Sequence, residues 1–214
     1  MATRWGDRDA RRRDILAAGR ELITRQGYSA LQMRDVARGA GISPGTVYTY
    51  YPTKEALFAA LYADRTDRFA DTLEAALNTC PDLEELLVSI ADDYVELYRI
   101  FGKNLDVVEV MSSPLRKDPL VGGRLLESTG RAIKLLRAAV EAHVPPDVNS
   151  EQAAALMWAT MNGLAEQFTS SRRVMHANSL EDLVRFAART LIGGLASTNK
   201  DPGSRTFLAE PTPM

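Results

Sequence analysis

A chain of 214 residues with 45% apolar and 25% charged side chains can fill one large core or two smaller ones. A net charge of −2 argues against a surface built to coat nucleic acid along its whole length. A single Cys80 and two histidines, His143 and His176, leave no intrachain disulfide and little material for a metal centre.

The charge is unevenly distributed. Residues 1–60 hold ten Lys or Arg against six Asp or Glu, a net of about +4, and the rest carries about −6. A basic head on an acidic body suits a chain that meets a polyanion at one end only.

Taken in order, Arg4, Arg8, Arg11, Arg12 and Arg13 open the chain, interleaved with Asp7, Asp9 and Asp14. Such an arm can follow a phosphate backbone, enter a minor groove, or remain solvated. No apolar h-region of a signal peptide follows, and the expected location is the cytoplasm. Ile15, Ala18, Gly19, Leu22 and Ile23 recur with helical spacing and predict an amphipathic first helix.

A second helix is predicted from about Met33 to Gly39 and a third from Pro44 to about Tyr50. Between them, Gly41 can take the positive φ that ends a helix, Ser43 is a strong N-cap, and Pro44 suits the first helical position. Val36, Ala37, Ile42, Val47 and Tyr51 are spaced to share a small core. With Val47 inward, Gly45 and Thr49 face away, flanked by Thr46 and Tyr48. Two short helices joined by this tight turn form a helix-turn-helix, which places its second helix in the DNA major groove. Gly45 removes bulk where the helix approaches DNA, and Thr46, Tyr48, Thr49 and Tyr50 supply hydroxyls for phosphates or base edges. Thr53 then caps a fourth helix carrying Lys54 in its first turn, a natural phosphate clamp.

The stretch Arg-Asp-Val-Ala-x-x-Ala-Gly-Ile-Ser-x-Gly-Thr-Val-Tyr-x-Tyr-Tyr-x-x-Lys-Glu-x-Leu, from Arg34 to Leu57, closely resembles the DNA-binding domain of tetracycline-repressor-type (TetR family) regulators. The resemblance extends back through Gly27-Tyr28 and Ile15 and covers roughly residues 10 to 60. It implies operator contacts by Ser43, Thr46, Tyr48, Tyr50 and Lys54, mostly to phosphates, within a face that also includes Arg34, Pro44, Gly45 and Thr49. One departure is Gln32, which stands where the family usually has a Ser or Thr cap, so the second helix should be less well capped.

Beyond Lys54 the pattern stays helical. A long fourth helix is predicted from Thr53 to about Asn78 and a fifth from Pro81-Asp82 to Gly102, with one stripe from Leu83 to Phe101. Cys80, at a helix end, reads as a buried or idle thiol before a redox sensor. A short helix from about Asn104 to Met111 and a longer one from about Pro119 to Val144 follow. Two more, from about Asn149 to Ser171 and from Ser179 to about Ala196, are apolar over more than one face, with many small residues. The second apolar face suggests a partner. The fold class is all-α, with a helix-turn-helix domain at 1–60, a helical effector-binding and dimerisation domain at 61–197, and a disordered tail at 198–214 rich in Pro, Ser and Thr.

Catalysis finds little support. Gly122-Gly123 and Gly193-Gly194 follow no strand, and Asp92-Asp93 reads as a charged face. No cofactor or metal is expected. The resemblance implies a homodimeric repressor on palindromic double-stranded DNA, joined through the last two long helices and released by a small-molecule effector. Candidate effector-lining residues are Tyr94, Tyr98, Phe101, Met111, Met157, Trp158, Met161 and Phe168, with Asn162, His143 and Glu109 as polar anchors. These types at helical spacing also make ordinary cores, and methionine adapts to a flat, partly apolar ligand. Effector identity, operator sequence and the sign of regulation are not encoded in the motif.

Overall fold

The computed structural model describes residues 4–102, 113–146 and 148–198, with side chains from residue 8 to 194 within those ranges. Its helices are α1 (Arg4–Gln26), α2 (Met33–Gly39), α3 (Pro44–Tyr50), α4 (Lys54–Thr79), α5 (Leu83–Phe101), α6 (Arg124–His143), α7 (Ser150–Thr169) and α8 (Leu180–Thr198). No strand occurs among the described residues, and the fold is all-α. The predicted helix at 104–111 and the tail from 199 onward lie outside the described residues, as do Glu109 and Met111.

The caps explain most boundaries. Asp82 Oδ1 accepts from Glu85 N at 2.9 Å and Asn149 Oδ1 from Gln152 N at 3.0 Å. At α8, Ser179 Oγ accepts from Asp182 N at 3.0 Å while Asp182 Oδ2 accepts from Ser179 N at 3.2 Å, a reciprocal capping box. The structure differs from the sequence reading at three places. The arginine-bearing start is not a separate arm but the first turns of α1. The helix expected from Pro119 begins with a π turn, Pro119–Gly123, before α6 proper. Finally, α7 stops at Thr169, where Ser170 instead caps a short 3-10 turn, Ser171–Met175.

Two hydrophobic cores lie along the molecule. The first joins Ile15, Ile23, Val36, Val47, Tyr51, Leu57, Phe58 and Leu61 to Ile100, Phe101, Val121 and Leu125. The head core therefore does not close at residue 60; it is completed by the end of α5 and the start of α6. The second core packs α5, α6, α7 and α8 around Leu87, Ile90, Leu136, Met157, Met161 and Val184.

Helix α4 runs between the two cores and is clamped electrostatically to three neighbours. Asp64 pairs with Arg20 of α1 at 3.2 Å, and Arg65, nearly buried, pairs with Asp93 of α5. Toward α6, Asp67 pairs with Arg124, and Arg131 reaches Asp71 at 2.6 Å and Glu74 at 2.5 Å. Burial holds the Asp67 carboxyl above its ordinary range, and Arg124 offsets part of that rise.

At the start of α2, Gln32 has extended backbone (φ −119°, ψ 132°), and its side chain caps nothing. The prediction is that Gln32→Ser stabilises the protein by about 1 kcal/mol through a new bond to the first turn. Urea unfolding checks it; an unchanged midpoint would mean the turn before α2 cannot present the hydroxyl.

Candidate nucleic-acid interface and effector cavity

The turn between α2 and α3 is built as its residues dictate. Gly41 sits at φ +64°, and Ile42 N donates to Ala37 O at 2.9 Å, closing the end of α2. Ser43 Oγ accepts from Thr46 N at 3.2 Å and lies 2.9 Å from Thr46 Oγ1. Val47 is fully buried, as are Val36, Ala37 and Tyr51, and Ile42 is half-buried.

That anchoring turns the opposite face outward. Ser43, Pro44, Gly45, Tyr48 and Thr49 are exposed, and Thr46 and Tyr50 are half-buried. Thr49 Oγ1 donates back to Gly45 O at 3.0 Å. A Cβ on Gly45 would meet only Ser43 Oγ, at 3.8 Å, so the protein itself does not require glycine there. Arg34 is exposed on α2. Thr53 Oγ1 caps α4 by accepting from Ala56 N at 3.0 Å, and Lys54 Nζ lies 4.0 Å from the centre of the Tyr28 ring. That cation–π contact fixes the ammonium against the turn between α1 and α2, a placement the sequence did not signal.

The arginines of α1 divide. Arg11 pairs with Asp14 at 3.8 Å and Arg12 with Asp9 at 3.3 Å. Arg12 and Arg13 also line a small cavity with Tyr51, Asp64 and Arg124, so this part of the basic run faces the body.

The body holds a mainly apolar cavity of about 430 Å³ between α4, α5, α6 and α7. Tyr94 and Trp158, both anticipated, line it with ring centres 5.2 Å apart. Tyr62, Thr66 and Phe69 of α4, Leu97 of α5, and Thr129, Ala132, Ile133 and Leu136 of α6 line it as well and were not anticipated. The other expected lining residues sit elsewhere. Met161 borders a narrow inner extension, and Met157 is packed in the second core. Phe101 belongs to the head core, its ring tilted against Phe58 with centres 5.0 Å apart. Phe168 stacks on His176 under Arg173. Tyr98 donates to Glu166 at 3.0 Å, and Asn162 accepts from the Tyr94 hydroxyl. His143 Nδ1 is spent on Ala139 O at 2.7 Å. A somewhat larger cavity, about 460 Å³, lies where α1, α4 and α5 meet, but its walls carry Arg20, Arg65 and Arg68 already engaged with Asp64 and Asp93. The apolar cavity is therefore the better small-molecule site.

The family model for bacterial regulatory proteins of the tetR family matches residues 15–61, which span this head from α1 into α4. Over that span the chain resembles the TetR family. It is 25% identical over 194 residues to the HTH-type transcriptional regulator UidR of Escherichia coli K12, covering 86% of this chain and 92% of that protein. Among solved structures, Salmonella enterica GusR is 25% identical with a TM-score of 0.54, covering 86% of this chain and 95% of that one. Bacillus subtilis FadR in complex with stearoyl-CoA shares the fold at 18% identity and a TM-score of 0.58, covering 85% of this chain and 97% of that one. These likenesses make the protein a DNA-binding transcriptional regulator. Among the described residues, no helix is long and apolar enough to cross a membrane, and no group of three or more His, Cys, Asp or Glu could hold a metal.

Burial raises the Tyr94 and Tyr51 phenols far above their ordinary value of 10.0. In the unfolded chain both ionise near pH 10, whereas the folded protein keeps both protons, so stability is complete below that pH and declines above it. Thermal midpoints measured from about pH 8 to 11 should fall at the alkaline end, and Tyr94→Phe and Tyr51→Phe should each flatten the decline. An alkaline slope identical in both variants would place the titration on other groups.

Proposed function

We propose that the protein is a homodimeric repressor released from a palindromic operator when a small molecule enters the cavity between α4, α5, α6 and α7. The carrying observation is that α4 presents both ends of this device. Its amino end, which follows α3 directly in the chain, carries Lys54, and Tyr62, Thr66 and Phe69 about two to four turns on form part of the cavity wall. A ligand that displaces those side chains moves the element that positions the lysine. In the proposed complex Arg34, Ser43, Pro44, Gly45, Thr46, Tyr48, Thr49, Tyr50 and Lys54 face DNA, the hydroxyls and Lys54 on phosphates, Gly45 at the closest approach.

Dimerisation is supported by the outer faces of α7 and α8. Ala155, Leu156, Ala159 and Gly163 follow one exposed line on α7, with Leu156 46% exposed, and Phe186 of α8 is 69% exposed. A monomer has no use for this apolar surface, whereas a two-fold partner covers it and places two recognition helices one DNA turn apart.

Selection of random genomic fragments on the protein tests the reading. One imperfect palindrome with half-sites about one helical turn apart supports it; enrichment by charge or bendability alone defeats it. A reporter driven from the recovered site separates repressor from activator.

Two variants probe the parts. Lys54→Ala should weaken binding at all sequences, lower the log–log salt slope by about one, and slightly lower the unfolding midpoint through the lost contact with Tyr28. An unchanged slope removes Lys54 from the phosphates. Phe186→Glu should convert the dimer to a folded monomer in sedimentation and reduce operator affinity at least about 100-fold, since two linked heads bind far better than one. A dimer that persists would place the interface elsewhere.

A further inference from the structure

We propose that the cleft where α1, α4 and α5 meet is a second small-molecule site, for a singly charged organic carboxylate bound between Arg20 and Arg68. The cleft holds about 460 Å³, within the range of small-molecule sites, and its walls are unlike those of the apolar cavity. Arg20 comes from α1, Arg65 and Arg68 from α4, and Asp93 and Glu96 from α5. Its base is closed by Ile23, Leu61, Ile100 and Phe101 of the head core. An occupant touches the head through α1 and the body through α5, across α4. This site does not depend on the effector role given above to the apolar cavity.

The acids around the cleft do not balance its cations. Arg65 is matched by Asp93, which receives it through the carboxylate and through the backbone carbonyl, the latter at 2.8 Å. Glu96 is held by two donors of Arg99, at 2.8 and 2.6 Å. Arg20 and Arg68, in contrast, converge on one oxygen, Asp64 Oδ2, at 3.2 and 2.9 Å. The same acid borders the small cavity of Arg12 and Arg13 on its other side. One carboxylate between two guanidinium groups leaves one positive charge without a counter-charge. Burial lowers the Arg68 guanidinium below its ordinary range; Asp64 opposes that fall, and the charges of Arg20 and Arg65 add to it. Both arginines are open to a ligand, with 41% of the Arg20 side chain and 42% of the Arg68 side chain exposed. A guanidinium carries five N–H donors in a planar fork that matches a carboxylate, and Asp64 engages at most two from each. A dianion would exceed the uncompensated charge, and a neutral molecule would leave it in place. The aliphatic stems of the same arginines give the apolar part of the ligand a surface to lie on.

The test uses the full-length protein at low salt, with calorimetry of 2-naphthoate, its uncharged isostere 2-naphthamide, and inorganic phosphate. 2-Naphthoate should bind about tenfold more tightly than the amide, and phosphate should bind more weakly than 2-naphthoate. In Arg20→Gln the tenfold preference should disappear, while the ligand-free unfolding midpoint stays near that of the wild type because Arg68 retains Asp64. Arg20→Lys, which keeps the charge, should still prefer the carboxylate. Arg137→Gln, at the mouth of the apolar cavity, should leave the preference unchanged. A preference lost in Arg137→Gln would seat the ligand in the apolar cavity, and one that survives Arg20→Gln would place it away from the cleft; either result overturns the proposal. So would a lower midpoint in Arg20→Gln, which would mean that the fold already satisfies this arginine. Equal binding of the amide, tighter binding of phosphate, or no binding of 2-naphthoate at millimolar concentration overturns the ligand class and the site with it.

Discussion

The burial of α4 on three sides at once is the constraint on which the rest of the protein depends. Ala56, Leu57, Phe58, Ala59, Ala60 and Leu61 are all buried in consecutive positions, so the first turns of this helix have no solvent face. Such a run is possible because α1 covers one side, α5 a second, and the π turn with α6 a third. Farther along, α4 carries Asp64, Arg65, Asp67, Asp71 and Glu74, each held by an oppositely charged residue of α1, α5 or α6, and all but the nearly buried Arg65 are partly exposed. Partly exposed pairs of this kind contribute little energy, about 0–1 kcal/mol each. Their effect is on register: a rotation of α4 would break several while moving every apolar contact of the head.

The aromatic residues show how a cavity in the body can matter to the head. One set runs from the recognition end inward: Lys54 over Tyr28, Tyr28 against Phe58 at 4.4 Å, Phe58 against Phe101 at 5.0 Å, and Phe101 against Tyr62 at 5.4 Å. A second set, Phe69, Tyr94 and Trp158, is linked at 5.5 and 5.2 Å. The two sets face each other across the apolar cavity, which Tyr62 lines together with the second set. A dense aromatic column transmits displacement because its packing leaves little room to absorb it. A ligand filling the gap therefore acts on a column that ends at the proposed phosphate contact, which is the physical content of the release reading.

How far the sequence was legible follows from which interactions are local. Gly41, Ser43-Pro44 and Thr53 act on backbone groups within four residues, so the turn, the two short helices and the start of α4 could be placed to the residue, and the exposed face of α3 followed from Val47 alone. The absence of a cap at Gln32 was legible for the same reason. The cavity was not. Its lining depends on which face of α4 meets α6, and α4 is apolar on too many faces for periodicity to choose. Tyr62, Thr66 and Phe69 read as parts of a connector, while Phe101 and Met157, better candidates by composition, were drawn into the two cores. Lys54 was singled out from its position at a helix start, but the ring of Tyr28 that holds it lies in another turn of chain and left no local signal.

Charge explains why a dimer suits this head. Among the described head residues, Arg11, Arg12, Arg20, Arg25 and Arg38 are each paired with an acid, and Arg12 and Arg13 face the body. The cations left in the proposed DNA-facing region are chiefly Arg34 and Lys54, beside a face of hydroxyls. Hydroxyl contacts to phosphate position a protein on DNA but release no counterions, so a single head has a small electrostatic contribution to affinity. Doubling the head on a rigid two-fold frame multiplies affinity without adding indiscriminate positive charge, and it makes binding depend on the spacing between heads. In the proposed dimer, a regulator built this way would bind non-specific DNA weakly and lose its operator when the spacing changes, so a modest movement of α4 would be sufficient for the proposed release.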